Sequence, residues 1–332
     1  MIRLPDVLII TRRDIVRAMT PADFLEAAEQ AFRAAAIGKA SSPQPLHLPV
    51  ERGGFHAKGA SISLDRDYVA VKVNGNFPGN PAEMGLPTIQ GAIMLADGCN
   101  GALLAILDSI EVTLRRTAAA SALAARHLAR PDSHTLLVCG CGEQGRAHAS
   151  ALREVLPLRR CLLWDRNPEV SEGLASELRD TGIDAIAVPE LGAASRSADV
   201  IATCTTAREP FLDVDLLRPG AFIAAVGADN PDKTEIAPRL MAEATVIADI
   251  VHQGAAMGDL HHAIEASVMT EADVHAELGE ILVGTRSGRR ASEEIIIFDS
   301  TGTGGQDAAA AAAIYERCAN SGGVRSINLA GV

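Results

Sequence analysis

The sequence predicts an α/β fold in which a doubly wound parallel sheet is inserted into a smaller mixed α+β domain. Three observations carry this. An apolar run breaks at Gly140-x-Gly142-x-x-Gly145 and continues as a helical pattern. From Thr135 onward, short apolar runs alternate with amphipathic stretches, as a parallel sheet covered by helices requires. Before residue 118 the pattern is one helix followed by runs at strand period.

In chain order, Pro21–Gly38 reads as an amphipathic helix begun by Thr20 and Pro21. Strands are expected at Ala57–Leu64, Tyr68–Val73, Thr88–Leu95 and Ala102–Asp108, and Ala-rich Thr113–Leu128 as the helix leading onward. Further strands are expected at Thr135–Cys139, Arg160–Trp164, Asp184–Val188, Val200–Thr203, Ala221–Val226 and Thr245–Ile250. Between them, helices fit Glu143–Leu156, Glu169–Asp180 after Pro168, and the stretch near Leu191–Ser195. Glu294–Phe298 reads as a last strand and Gln306–Cys318 as an Ala-rich helix after which the chain stops. A helix of small residues packs closely against a partner. Its return to the first domain makes that domain discontinuous, 1–118 with 303–332, around an inserted domain of 119–302.

The glycine turn carries chemistry. Gly140 permits the tight turn, Gly142 lets backbone approach a pyrophosphate, and Gly145 allows helix to pack on strand. Glu143 and Gln144 open a helix whose unpaired N–H groups and positive dipole end suit an anion. Asp165, twenty residues after Gly145 at the end of the next apolar run, stands where an acid bonds the adenosine ribose. Together these predict a Rossmann-type dinucleotide site. A carboxylate at Asp165 repels the 2′-phosphate of NADP and favours NAD, while Arg166 beside it keeps NADP as the lesser alternative. The small hydroxyl residues Thr203 and Thr205, and Val226-Gly227 after a later strand, are expected along the same edge of the sheet.

Composition bounds the partners. The chain has 332 residues, 48% hydrophobic and 22% charged, which is ordinary for a globular protein with two cores and sets disorder aside. A net charge of −12 without a clustered basic face argues against nucleic acid. Met1–Val7 lacks a basic segment followed by an apolar core, and no uncharged window is long enough to span a bilayer. The expectation is a cytoplasmic enzyme without a membrane partner. The six cysteines form no Cys-x-x-Cys pair and read as reduced core residues. Asp249, His252, Asp259, His261 and His262 match no metal-ligand spacing, so no metal is expected. His252, Gln253 and Asp299-Ser-Thr301 follow strands and are candidates to approach the cofactor.

Six segments in order, Val71–Asn80, Gly85–Gly91, Arg115–Ser121, the 140–145 turn, Gly227–Glu235 and Phe298–Gly302, closely resemble the ornithine cyclodeaminase/mu-crystallin family over nearly the whole chain. The resemblance implies a Rossmann domain inserted in a mixed domain that dimerises, and hydride transfer between nicotinamide and an α-carbon bearing nitrogen. It makes Lys72, Thr88 and Arg116 the residues that hold the substrate's α-carboxylate, with Lys72 also catalytic, and Asp229 the acid acting on the substrate nitrogen. The chemistry agrees: a protonated imine accepts hydride better, so a carboxylate near the nitrogen both stabilises it and exchanges its proton.

The departures concern substrate. Where diamino-acid enzymes of the family carry an arginine, this chain reads Gln44-Pro-Leu-His47, and where they carry a glutamate for the distal amine it reads His56-Ala-Lys58-Gly59. Cations at His56 and Lys58 repel an ammonium and suit a neutral or acidic side chain. The first expectation is an imine reductase or L-amino-acid dehydrogenase acting on a small 2-imino acid, dicarboxylic ones such as iminosuccinate included. The alternatives are a cyclodeaminase that recycles NAD and a non-catalytic nucleotide-binding protein. A homodimer is expected through the strand-rich domain and the helix Gln306–Cys318.

Overall fold

The computed structural model describes residues 6–329, so most of the N-terminal segment read for a leader lies outside the described residues. Two units emerge, one from residues up to Arg116 with those from Thr303 on, the other from Thr117–Gly302.

The first unit contains β1 (Val7–Ile10), α1 (Arg12–Ala18), α2 (Pro21–Ala36), β2 (Ala40–Ser41), β3 (Leu46–Val50), β4 (Gly53–Ser63), β5 (Asp67–Asn76), α3 (Asn80–Met84), β6 (Ile89–Asp97) and β7 (Leu103–Asp108). The division falls within α4 (Ser109–Leu128). Thr20 caps α2, taking the Asp23 N–H while Asp23 returns to the Thr20 N–H. α4 begins one turn before the expected Thr113 because the Asp108 carboxylate accepts the Glu111 N–H at 2.8 Å.

The second unit contains β8 (Thr135–Cys139), α5 (Glu143–Arg153), β9 (Arg160–Trp164), α6 (Pro168–Asp180), β10 (Asp184–Ala187), α7 (Leu191–Ser197), β11 (Val200–Thr203), β12 (Phe222–Ala225), α8 (Pro238–Glu243), β13 (Thr245–Ala248), α9 (Val251–Met257), α10 (Asp259–Glu265), β14 (Ala276–Glu277), α11 (Leu278–Leu282) and β15 (Ile296–Asp299). Its strands form one parallel sheet in the order β10-β9-β8-β11-β12-β15-β13-β14. Strands are added outward from β8 on one side as β9 and β10 and on the other as β11 and β12, and this switch in strand order is where such sheets bind ligands.

The chain then returns through α12 (Gly304–Ser321) and β16 (Ser326–Ile327) to the first unit, whose mixed sheet runs β16-β1-β7-β6-β5-β4-β2 with β3 on β4. The chain therefore does not stop at the helix: β16 pairs antiparallel with β1. Alternation along β4–β6 buries Ala60, Ile62, Tyr68, Ala70, Ile93 and Leu95 on the face covered by α12 and α2. The other face leaves Val69, Val73 and Met94 exposed at 36%, 44% and 50%.

Ala308–Ala312 are buried inside the unit, because small side chains let α12 lie close on β4 and β5, while Arg317, Ala319 and Asn320 of the same helix are exposed. One expectation needs correction. Cys99 is not a core residue but lies exposed in the turn after β6, where its N–H caps Asp97. The six cysteines are free thiols. Among the described residues no helix is long and apolar enough to cross a membrane.

Candidate functional site

In the second unit β8 runs into the glycine turn and α5 starts at once, with Gly142 as its N-cap. Gly140 sits at φ +91, a conformation that L side chains avoid, and a Cβ there would stand 2.7 Å from the Cys204 carbonyl oxygen. A Cβ on Gly145 would stand 2.0 Å from the Gly140 carbonyl oxygen, so any other residue would push helix from strand. At Gly142 the space beyond the backbone is open.

Asp165, at the end of β9, accepts the Cys141 N–H at 2.8 Å through one oxygen and the Asn167 N–H at 2.9 Å through the other. The carboxylate is thus fixed against the glycine turn, and Arg166 beside it is exposed. A cavity of about 380 Å³ is lined by Gly140, Gly142, Trp164, Asp165, Arg166, Cys204 and Thr205. An open backbone cradle with an anchored acid beside it fits the phosphate and ribose of a dinucleotide. Glu143 is exposed and pairs with Arg146 at 2.7 Å; Gln144 is half-buried, its carbonyl 2.8 Å from His148 Nδ1.

A buried carboxylate that sequence reasoning missed holds the next two loops. Glu235 accepts the Thr205 N–H at 2.6 Å and the Gly227 N–H at 2.8 Å, one on each oxygen. Thr203 and Val226 lie just before these points and are joined by the Val226 N–H to the Thr203 carbonyl at 3.1 Å. Burial, aided by the neighbouring Asp259, raises the Glu235 carboxyl to about 7. The signal was available, since Glu235 closes the Gly227–Glu235 segment.

Asp229 lies exposed in the loop after β12 and accepts from Lys233 Nζ at 2.7 Å and Asn230 Nδ2 at 3.2 Å. The residues weighed as metal ligands serve the backbone instead. Asp249 accepts the Gly302 N–H at 2.6 Å, and Asp259 those of Glu235 at 2.8 Å and Ile236 at 3.0 Å. His261 Nδ1 lies 3.0 Å from the Ala255 carbonyl, and His262 Nε2 2.9 Å from that of Lys233. Among the described residues no group of three or more His, Cys, Asp or Glu is placed to hold a metal. Asp299, Ser300 and Thr301 are buried, and Gln253 Nε2 donates to the Thr301 hydroxyl at 2.6 Å; His252 is exposed on α9.

The first unit gathers cations. Lys72 on β5 and Arg116 on α4 are each 5% exposed, and both grip Asp307 in the first turn of α12. Lys72 Nζ is 2.7 Å from one Asp307 oxygen, and Arg116 Nε 3.0 Å from the other. Lys72 also donates to the Thr113 hydroxyl at 3.2 Å, and Arg116 to the Gln306 side-chain oxygen at 3.1 Å. Lys58 is directly opposite Lys72 in the β4–β5 register. Burial lowers the Lys72 ammonium to about 7; Asp307 opposes this, and Arg116 and Lys58 add to it. Burial would raise the Asp307 carboxyl, but Lys72 and Arg116 outweigh it and hold it below the usual range.

His56 lies two pairs further along, opposite Asn74, with its Nδ1 3.3 Å from that of His47. Thr88 is not gathered here. It precedes β6, five residues before Ile93, the cross-strand partner of Lys72, or about 16 Å along the strand.

Fold and turn together define a Rossmann-type α/β protein. The model of the ornithine cyclodeaminase/mu-crystallin family matches residues 6–322, and the chain belongs to that family. It is 34% identical to the alanine dehydrogenase of Archaeoglobus fulgidus, over 94% of this chain and 95% of that one. Among solved structures it resembles a dimeric archaeal alanine dehydrogenase with bound NAD, at 33% identity and a TM-score of 0.94, covering 98% of this chain and 100% of that. It also resembles the iminosuccinate reductase of Paracoccus denitrificans in complex with NAD+, at 30% identity and a TM-score of 0.92, covering 98% and 100%.

Proposed function

We propose that this protein is an NAD-dependent oxidoreductase that reduces a small 2-imino acid to the L-amino acid, or runs in reverse as a dehydrogenase. The observation that carries this is the buried pair Lys72 and Arg116, set on one carboxylate with Lys58 opposite. Burying two cations is costly unless anions balance them; Asp307 balances one charge, and a substrate α-carboxylate would balance the other. In this reading Lys72 and Arg116 fix the α-carbon by its carboxylate. Asp229 exchanges the proton on nitrogen. NAD, when bound, exchanges hydride with the α-carbon. Gly140, Gly142, Glu143, Gln144 and Gly145 would hold its pyrophosphate, Asp165 its ribose, and Thr203, Thr205, Val226 and Gly227 the nicotinamide half. The anchored Asp165 supports NAD over NADP.

The side chain of the substrate follows from charge. Lys58 and His56 favour a second carboxylate, so iminosuccinate is proposed ahead of imines from ornithine or lysine. The test compares kcat/KM for oxaloacetate plus ammonia, pyruvate plus ammonia and a cyclic imino acid, in wild type and Lys58→Ala. Preference for the dicarboxylate, lost in Lys58→Ala, supports the reading; preference for the cyclic imine, or ammonia release from ornithine, overturns it. A homodimer is proposed through the apolar sheet face bearing Val69, Val73 and Met94, which a monomer would leave in water. Light scattering that reads one chain at micromolar concentration would contradict it.

A further inference from the structure

We propose that Asp307 is a positioning residue for the substrate site: it holds Lys72 and Arg116 in one geometry and sets one negative charge between them. The role toward substrate rests on the function proposed above; the Asp307–Lys72 coupling rests on geometry alone.

Lys72 comes from a strand and Arg116 from a helix, and no backbone hydrogen bond fixes one side chain against the other. Asp307 does so with its two oxygens, at 2.7 Å from Lys72 Nζ and 3.0 Å from Arg116 Nε. The neighbouring Gln306 takes a second Arg116 N–H at 3.1 Å, so two consecutive residues of α12 set the plane of the guanidinium. The Thr303 hydroxyl, accepting the Gln306 N–H at 3.2 Å, locks that turn. Ionised Asp307 in the first helical turn is further favoured by the helix dipole.

Donor arithmetic separates this from a purely structural ion pair. Arg116 has five N–H groups, and the Asp307 and Gln306 bonds use two of them; Lys72 has three, of which the Thr113 bond uses one, while Asp307 pairs with its charge at 2.7 Å. Both cations keep donors for an incoming carboxylate while Asp307 steadies them. Among the described residues the charged groups that act most on Lys72 are Lys58 from β4, Arg116 from α4 and Asp307 from α12, and of these Asp307 is the negative one. Removing it leaves a buried ammonium against two cations.

The test uses the full chain, whose only lysines are Lys39, Lys58, Lys72 and Lys233, so side-chain NMR of labelled lysine resolves Lys72. In Asp307→Asn, Lys72 should titrate about 1–3 pH units lower than in wild type. The alkaline fall of kcat/KM should move down with it, and KM should rise at least about tenfold, with NADH affinity nearly unchanged. Asp307→Glu keeps the charge but displaces it, so it should retain the Lys72 titration while KM still rises. Asp307→Asn that lowers Tm but leaves both the titration and the pH limb in place would overturn the proposal. So would Asp307→Glu that lowers the Lys72 titration by about 1 pH unit or more, a reading that stands even if Asp307→Asn fails to fold. The titration needs no turnover: its failure overturns this inference, whereas absent turnover with the titration shift intact overturns the function on which the substrate role rests.

Discussion

The cofactor turn and the Lys72 cluster use carboxylates for opposite purposes. In the second unit Asp165 and Glu235 accept backbone N–H groups, those of Cys141, Asn167, Thr205 and Gly227, and so fix loops. In the first unit Asp307 accepts from two side-chain cations and fixes charges. The difference teaches where damage should appear: losing a loop-fixing acid moves backbone, while losing a member of the cation cluster changes the field met by the substrate.

The comparison breaks first at Asp229, which serves chemistry rather than either kind of positioning. Asp229→Asn should lower kcat by about 10²–10⁴-fold with NADH affinity retained, because an amide keeps the shape but cannot exchange the proton. Near-wild-type kcat in a reaction limited by chemistry would remove Asp229 from the mechanism. Arg116→Ala comes next. It should raise the substrate KM by roughly 10–100-fold, the loss of a charge-assisted contact of about 1.5–3 kcal/mol, while NADH titration by fluorescence stays nearly constant. Equal losses in substrate and cofactor affinity would mean that the two regions are not separable.

Smaller effects sharpen the contrast on the cofactor side. Asp165→Ser should narrow or invert the preference for NADH over NADPH by about tenfold, roughly 1.4 kcal/mol, as read from kcat/KM for each. A wild type that prefers NADPH would contradict the assignment. Glu235 should show itself in stability. Its carboxyl is raised by burial to about 7 from an ordinary 4.5, so between these values the native state binds the proton more than the unfolded chain does. That contribution is present below about pH 4.5 and is lost as pH rises toward 7. Glu235→Gln should therefore lower Tm overall, by losing one backbone contact, and shrink the Tm difference between pH 5 and pH 8 by a few degrees. An unchanged difference would assign the slope to Asp259 or Asp299, whose carboxyls burial also raises.

How far each region can be read from sequence follows from how it is assembled. The cofactor turn is one strand, turn and helix with Asp165 at the next strand end, so its logic lies within a single short segment. The Lys72 cluster draws on β4, β5, α4 and α12, and only the family resemblance singled out Lys72 and Arg116. Asp307 had a local signal: a carboxylate in a helix of alanines must be paired if buried. The short run Val7–Ile10 was ambiguous by period, and β1 is defined by pairing with β7 and β16. Leu46–Val50 is interrupted by Pro49, which fits β3 pairing with β4 alone. Thr88 shows the limit of motif transfer, since strand register separates it from Lys72.

The most direct measurement is the stoichiometry of NADH consumption by the wild-type protein given oxaloacetate or pyruvate with ammonia. The account predicts one NADH oxidised per L-amino acid formed, fastest with the dicarboxylate. No NADH oxidation with any imine, or ammonia released from a diamino acid with no net change in NADH, would contradict it.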